Sequence, residues 1–165
     1  IASFPRRGFF MSTWGMQGYR SGPPIFARIL SRDPIPLLLL NHPALTHAAG
    51  VTEAIGPAWQ LHPADQSLLR DNFIEHWGPI WIAGKRFVVG QRPIDVSILV
   101  PGTYTFEGQS VQVAGRNLSP GDTLELRRGT YRVSAESPGV VTMRWGDRLR
   151  PPKQPAPRGP FYRGF

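Results

Sequence analysis

The fold is decided by residues Ile94 to Gly146, IDVSILVPGTYTFEGQSVQVAGRNLSPGDTLELRRGTYRVSAESPGVVTMRWG. Within this stretch short runs alternate apolar and polar residues, and each run stops at Gly, Pro, Asn or Ser. Tyr104 and Phe106 share one parity, for example, and Thr105 has the other. A period of two places such residues on opposite faces of a strand. The stretch therefore predicts five or six short antiparallel strands, rolled into a small sandwich or open barrel.

The residues before this stretch mix helical and extended patterns. Short helices are predicted over residues 25–31, after a Pro-Pro step that suits a helix start, and over residues 44–49. The strongest helical pattern runs from Pro63 to Trp77, where apolar residues recur at a spacing of four. Asp65 lies in the first turn of this predicted helix, where the helix dipole favours an anion.

Two extended segments are also predicted, one between these helices and one after them. The run PIPLLLLN, residues 34–41, is apolar at both parities and predicts a strand buried on both faces. Ile80 to Val89 predicts a strand, or a hairpin that turns at Gly84-Lys85. The overall expectation is an α+β protein in three parts. They are an α/β portion over residues 1–92 with an aromatic-rich N-terminal segment, a small antiparallel β module over 93–149, and a Pro-rich basic tail over 150–165.

The chain is strongly basic, with a formal net charge of +8 over 165 residues. Such a surface attracts nucleic acid, anionic lipid or acidic polysaccharide. The cations are scattered in ones and twos and form no block of five, so a nucleic-acid-binding arm is not evident. Nucleic acid is therefore the least favoured of these three partners.

The sequence contains no Cys, which excludes disulfides and thiolate chemistry. No signal peptide or membrane-spanning run is visible, since the longest apolar run is short and interrupted by Pro36. The chain begins at Ile1 rather than Met, and we expect it to be a processed product or a piece of a longer protein.

The sequence lacks several common motifs for catalysis and metal binding. The four His form no H-E-x-x-H pair, and neither G-x-S-x-G nor a phosphate-binding glycine loop is present. His76 is expected at the end of the predicted helix, where it would complement the helix dipole. Asp65, Asp71 and Glu75 are predicted on or near that helix, and the i, i+4 pair Asp71 and Glu75 is expected to be solvated. The sequence thus predicts no catalytic residue, no metal ligand and no cofactor.

The aromatic and Arg residues offer a candidate ligand surface. Aromatic rings can stack on the faces of sugars, and the Arg guanidinium matches carboxylate or phosphate. The candidate ligand-binding residues are Trp59, Trp77, Trp81, Trp145 and Arg144. For each Trp, packing in the core is the alternative.

Several strings resemble a known group of proteins. They are PLLLLNHPAL, LLRDNFIEHWGPIWIAGKRF, PGTYTFEG, VQVAGRNLSPGDTLELRRGTYRV, MRWGDRLRPP and PFYRGF. Together they resemble the C-terminal extracytoplasmic part of bacterial polytopic membrane glycosyltransferases of the GT-C type and related membrane proteins. The resemblance covers most of the chain from about Pro34. It implies an enzyme that transfers a sugar from a polyprenyl-phosphate donor, with its catalytic acid in an early loop that this chain does not contain.

The leading hypothesis from the sequence is therefore a non-catalytic accessory domain of such a protein. It would lie on the periplasmic face of the bacterial cytoplasmic membrane, with the membrane surface or a preceding transmembrane region as partner and a glycan as ligand. One alternative is a free-standing periplasmic or secreted carbohydrate-binding or adaptor protein. A second is a basic nucleic-acid-binding protein.

Overall fold

The computed structural model describes residues 13–40, 42–50, 56 and 60–156, and the following elements lie within them. The helices are α1 (Thr13–Arg20), α2 (Phe26–Arg32), α3 (Pro43–Ala48) and α4 (Pro63–Asn72). The strands are β1 (Leu37–Leu39), β2 (Phe73–Trp77), β3 (Ile80–Val89), β4 (Ile94–Ile98), β5 (Gly102–Gly108), β6 (Val111–Val113), β7 (Arg116–Leu118), β8 (Thr123–Leu126), β9 (Gly129–Ser134) and β10 (Gly139–Trp145).

Two antiparallel sheets form a small sandwich, which confirms the predicted α+β class. The larger sheet has six strands in the order β1-β3-β10-β5-β8, with β2 also paired to β3. The smaller sheet has the order β4-β9-β6-β7. β3 is one continuous strand without a hairpin at Gly84, and it joins the helical half of the chain to the sandwich.

The stretch Ile94–Gly146 forms seven strands rather than the five or six predicted. The count rises because β6 and β7 are separate strands joined by a two-residue turn, in which Ala114 and Gly115 both have positive φ (48° and 81°). Such angles belong to the tight turns that match strand twist. The turn predicted at NLSPG is confirmed, since the Asp122 amide donates to the Ser119 carbonyl across Pro120-Gly121 (2.9 Å).

The inward side chains of the two sheets form one core, which we call the sandwich core. Its members from both sheets include Val96, Val113, Phe106, Val141 and Met143, all buried. A second core, the helical core, lies between the helices and the first half of β3. Alternating apolar residues on the strands supply both layers, and burying them is the main force that holds the sheets and helices together.

β1 is an edge strand rather than the doubly buried strand predicted. It pairs only with β3, and Leu37 and Leu39 are 46% and 40% exposed. The four consecutive leucines in the sequence resembled a buried parallel strand. In the structure only one face of β1 is covered, because the helices pack on the side of Leu38.

The predicted helix Pro63–Trp77 ends at Asn72, and the rest of the segment is β2. Phe73 adopts extended angles (φ −133°, ψ 143°) while its amide still bonds the Leu69 carbonyl. The Asn72 side chain donates to the Leu68 carbonyl (2.8 Å) and satisfies another acceptor of the last turn. β2 follows because FIEHW pairs with β3, which outweighs the helical spacing of its apolar residues.

Asp65 has a role beyond its own helix that the sequence did not predict. It is 1% exposed, and its carboxylate accepts hydrogen bonds from the Tyr19 hydroxyl (2.6 Å) and from the Ile25 and Phe26 amides (3.0 Å each). The two amides belong to the start of α2, so an acid on α4 caps another helix. Burial, together with this hydrogen bond, raises the pKa of the Tyr19 hydroxyl. Asp71 and Glu75 are exposed, as expected.

Arg128, in the turn between β8 and β9, reaches the other end of α2. Its guanidinium donates to the Leu30 carbonyl (2.7 Å), the Ser31 carbonyl and the Leu99 carbonyl (3.0 Å). A cation is favourable at a helix C-terminus, where carbonyls lack partners within the helix. This contact ties the helical half to the sandwich.

Among the described helices, none is long and apolar enough to cross a membrane.

Candidate ligand-binding site

The six-stranded sheet has one face packed on the two cores and a second face that we call the outer face. Along β3, Trp81 and Ala83 point to the helical core and Val89 to the sandwich core. Residues of the other parity lie on the outer face: Arg86 and Val88 are exposed there, whereas Ile82 is buried. The strand period of two thus sorts each predicted site residue onto one face or the other.

Two of the predicted tryptophans have packing roles. Trp81 lies against the helical core, and Trp145 packs against both cores. The Trp145 indole Nε1 also donates to the Pro101 carbonyl (3.3 Å). Trp59 lies outside the described residues, so its predicted role stays a prediction.

Trp77 and Arg144 are brought together on the outer face. Trp77 pairs with Ile80, which shares its parity on β3 with Arg86 and Val88. Arg144 follows the outer parity of β10, opposite Gly84 of β3 and Thr105 of β5. Its guanidinium Nη1 donates to the carbonyl of Glu75, two residues before Trp77 (2.9 Å). Trp77, Arg144 and the intervening His76 together form what we call the outer-face site.

Arg144 is held rigidly by its neighbours. The Nε atom lies 3.4 Å from Oε1 of Glu107, with the Arg side chain 19% exposed. The Glu75 carbonyl fixes Nη1, so the plane of the guanidinium is set by two strands. Its Nη2 atom makes no hydrogen bond to the described residues, which leaves a donor for an external acceptor. A guanidinium fixed in this way loses little conformational entropy when it binds an anion.

His76 is the extra residue of a β-bulge. The pairing of β2 with β3 slips between Glu75 and Trp77, so His76 has no partner of its own on β3. Bulges occur often beside functional sites because they redirect side chains. The buried Nδ1 atom of His76 has no hydrogen-bond partner among the described residues. Burial and the nearby Arg144 charge both lower the pKa of His76, so the ring is neutral at pH 7.

In the described part of the chain, no three acidic, His or Cys side chains are grouped so as to hold a metal ion. A small cavity of about 10 Å³ beside Lys85 has room for one water molecule and not for an organic ligand. Lys85 itself donates to the Asp71 carbonyl at the end of α4 (2.6 Å), and burial lowers its pKa.

Two structural features at the outer-face site were not predicted from the sequence. His76 was placed at a helix end, whereas it lies in a bulge that depends on pairing with β3. Gln154 was assigned to the Pro-rich basic tail with no partner named, and its carbonyl accepts from the Trp77 indole Nε1 (3.1 Å). The contact between Gln154 and Trp77 has no local sequence signal, because it joins residues from distant parts of the chain.

Comparison of the chain with protein-family models, with curated proteins and with solved structures found no match. The geometry of the outer-face site is therefore the main basis for a functional hypothesis.

Proposed function

We propose that this chain is a non-catalytic binding domain that recognises an acidic glycan at the outer-face site. Its setting would be that of an extracytoplasmic accessory domain in a membrane-embedded glycosyltransferase-like protein. The observation that carries the binding proposal is the fixed Arg144 guanidinium on the same sheet face as Trp77. The setting is supported by the sequence resemblance described above.

The two side chains suit different parts of one sugar. Arg144 keeps an unused N–H edge, which can pair with a carboxylate in a charge-assisted hydrogen bond. Trp77 offers a partly exposed indole, and a flat amphipathic ring of this kind can cover an apolar sugar face. An acidic sugar has both features, an anionic group and a ring with apolar C–H faces.

The overall charge supports the same class of ligand. A net charge of +8 draws polyanions toward the surface and raises the rate of encounter at low salt. Charge alone does not distinguish one polyanion from another, so selectivity must come from the fixed geometry at Arg144. The test must therefore separate specific binding from general attraction.

The direct experiment is calorimetric titration of the 165-residue chain with an oligogalacturonate and with its fully methyl-esterified form. We expect the acid form to bind and the ester to bind at least tenfold more weakly. Arg144→Lys should weaken binding of the acid form about tenfold, because a Lys ammonium lacks the planar fork. Arg116→Ala, an exposed cation on β7 of the other sheet, is the matched control and should bind like the wild type.

Two results would overturn the proposal. If Arg116→Ala weakens binding while Arg144→Lys, which keeps the positive charge, does not, only net charge matters. Tighter binding to phosphatidylglycerol vesicles or to an oligonucleotide, with no dependence on Arg144, would indicate that the partner is a membrane surface or a nucleic acid instead.

A further inference from the structure

We infer that residues 147–156 form a second wall of the outer-face site, which adds Arg150 and Lys153 to Arg144 and selects an extended polyanionic chain over a single acidic sugar. This inference rests on the proposed function and names the class of ligand more narrowly. We call residues 147–156 the strap.

The strap is attached to the outer face at two places. At one end, the Arg148 amide donates to the Thr105 hydroxyl (2.8 Å), and the Arg148 Nε donates to the Gly121 carbonyl (3.2 Å). At the other end, the Gln154 carbonyl accepts from the Trp77 indole (3.1 Å). The strap therefore runs from the β5–β8 side of the sheet to β2.

Arg144 lies between these two attachments. Its Cα is the register partner of Thr105, and its guanidinium bonds the Glu75 carbonyl of β2. The strap starts at Thr105 and ends at Trp77, so it passes beside Arg144. A ligand carboxylate on Arg144 would consequently meet the strap as well as the sheet.

The middle of the strap carries cations with no acidic partner. Arg150 and Lys153 are exposed, and neither makes an ion pair within the described residues. Pro151 and Pro152 separate them and restrict the backbone. Three residues of extended chain span at most about 11 Å, so both cations can reach one short oligosaccharide.

The hydrogen bond between the Trp77 indole and the Gln154 carbonyl is consistent with a strap that lies beside the site and does not fill it. The strap uses the edge of Trp77, through Nε1, and this bond fixes the orientation of the ring. The strap residues 150–156 are all exposed, so their side chains remain free to face a ligand. A polyanion laid along the strap would meet Arg144, Arg150 and Lys153 in turn.

The experiment measures affinity against ligand length. Galacturonic acid monomer, trimer and hexamer are titrated into the wild-type chain and into the double variant Arg150→Gln/Lys153→Gln. We expect the wild type to gain at least tenfold in affinity from monomer to hexamer. The double variant should lose most of this gain from monomer to hexamer and show a shallower dependence of affinity on salt. Arg92→Gln/Arg127→Gln removes two exposed cations elsewhere and should behave as the wild type.

A second variant tests the strap without removing charge. Pro151→Gly/Pro152→Gly loosens the backbone, and we expect it to weaken binding of the hexamer several-fold more than binding of the monomer. The inference fails if affinity depends on Arg144 but not on ligand length, a result that leaves the proposed function standing. It also fails if the Gly variant binds every ligand more tightly, because the strap would then cover the site. If no acidic sugar binds at any length, the proposed function fails and the inference with it.

Discussion

Asp65 and Arg128 hold opposite ends of the same short helix. The Asp65 carboxylate accepts from the first amides of α2, and the Arg128 guanidinium donates to its last carbonyls. A helix of this length is unstable alone, since few of its backbone groups have internal partners. Two side chains from distant parts of the sequence thus satisfy both ends and complement the helix dipole.

Asp65→Asn should destabilise the protein by about 2–3 kcal/mol, because buried donors lose a charged acceptor and one of them faces an amide N–H instead. Urea unfolding measures the loss. Asp71→Asn, on the exposed side of the same helix, is the control and should change the unfolding free energy by less than about 0.5 kcal/mol. Similar losses in both variants would contradict the capping role.

Arg128→Ala should cost about 1–3 kcal/mol of unfolding free energy, since carbonyls of α2 and Leu99 lose a charged donor. Its neighbour Arg127 is exposed and supplies a matched Arg127→Ala control, which we expect to be nearly neutral. Amide hydrogen exchange gives a local readout, because loss of Arg128 should speed exchange in α2 more than in β10. Unchanged protection of α2 would refute the link.

Gly102 and Gly129 allow a matched test of how tightly Trp145 is packed. Both have strongly positive φ, 144° and 152°, so Ala at either position costs about 1–3 kcal/mol in backbone strain. A Cβ on Gly102 would overlap the Trp145 indole, whereas one on Gly129 meets no atom within 4 Å. Gly102→Ala should therefore lose about 1–3 kcal/mol more than Gly129→Ala in urea unfolding. Equal losses would mean that Trp145 moves aside without cost.

His76 should make stability depend on pH in the weakly acidic range. Its folded pKa lies below the unfolded value of about 6.5, so the unfolded chain binds the proton more readily. The contribution is complete above pH 6.5 and is lost as pH falls through the folded pKa. The groups that face the ring are Arg144 of β10 and, through Arg144, Glu107 of β5.

The corresponding measurement compares urea unfolding of the wild type and of His76→Asn between pH 5 and pH 8. Asn offers a similar acceptor without titrating, so the difference in unfolding free energy should fall as the solution is acidified. A difference that stays constant with pH would show that His76 does not titrate differently in the fold.

Some of the site could be predicted from the sequence because strand parity is local. Trp145 shares its parity with Val141 and Met143, and all three point inward as the alternation indicates. The turn at Pro120-Gly121 was equally readable, since those residue types specify its backbone angles.

Other features depend on contacts that no local pattern encodes. The change from helix to strand after Asn72 is decided by pairing with β3, and the bulge at His76 depends on the same pairing. Asp65 looks like an ordinary first-turn acid until Tyr19 and the start of α2 are placed against it. The face of Trp77 could not be assigned, since the predicted helix has no outer and inner parity of this kind.

The continuous strand β3 also constrains how the chain is synthesised and folded. Its second half pairs with β10, so that Val89 lies opposite Gly139, although β10 emerges from the ribosome after all the other strands. The backbone edge of β3 at Phe87 and Val89 therefore stays unpaired until almost the whole described chain has been made. Long-range pairing of this kind slows folding and leaves an exposed edge in the nascent chain. The strand that unites the two halves is thus also the place where a newly made chain is most vulnerable to pairing with another copy.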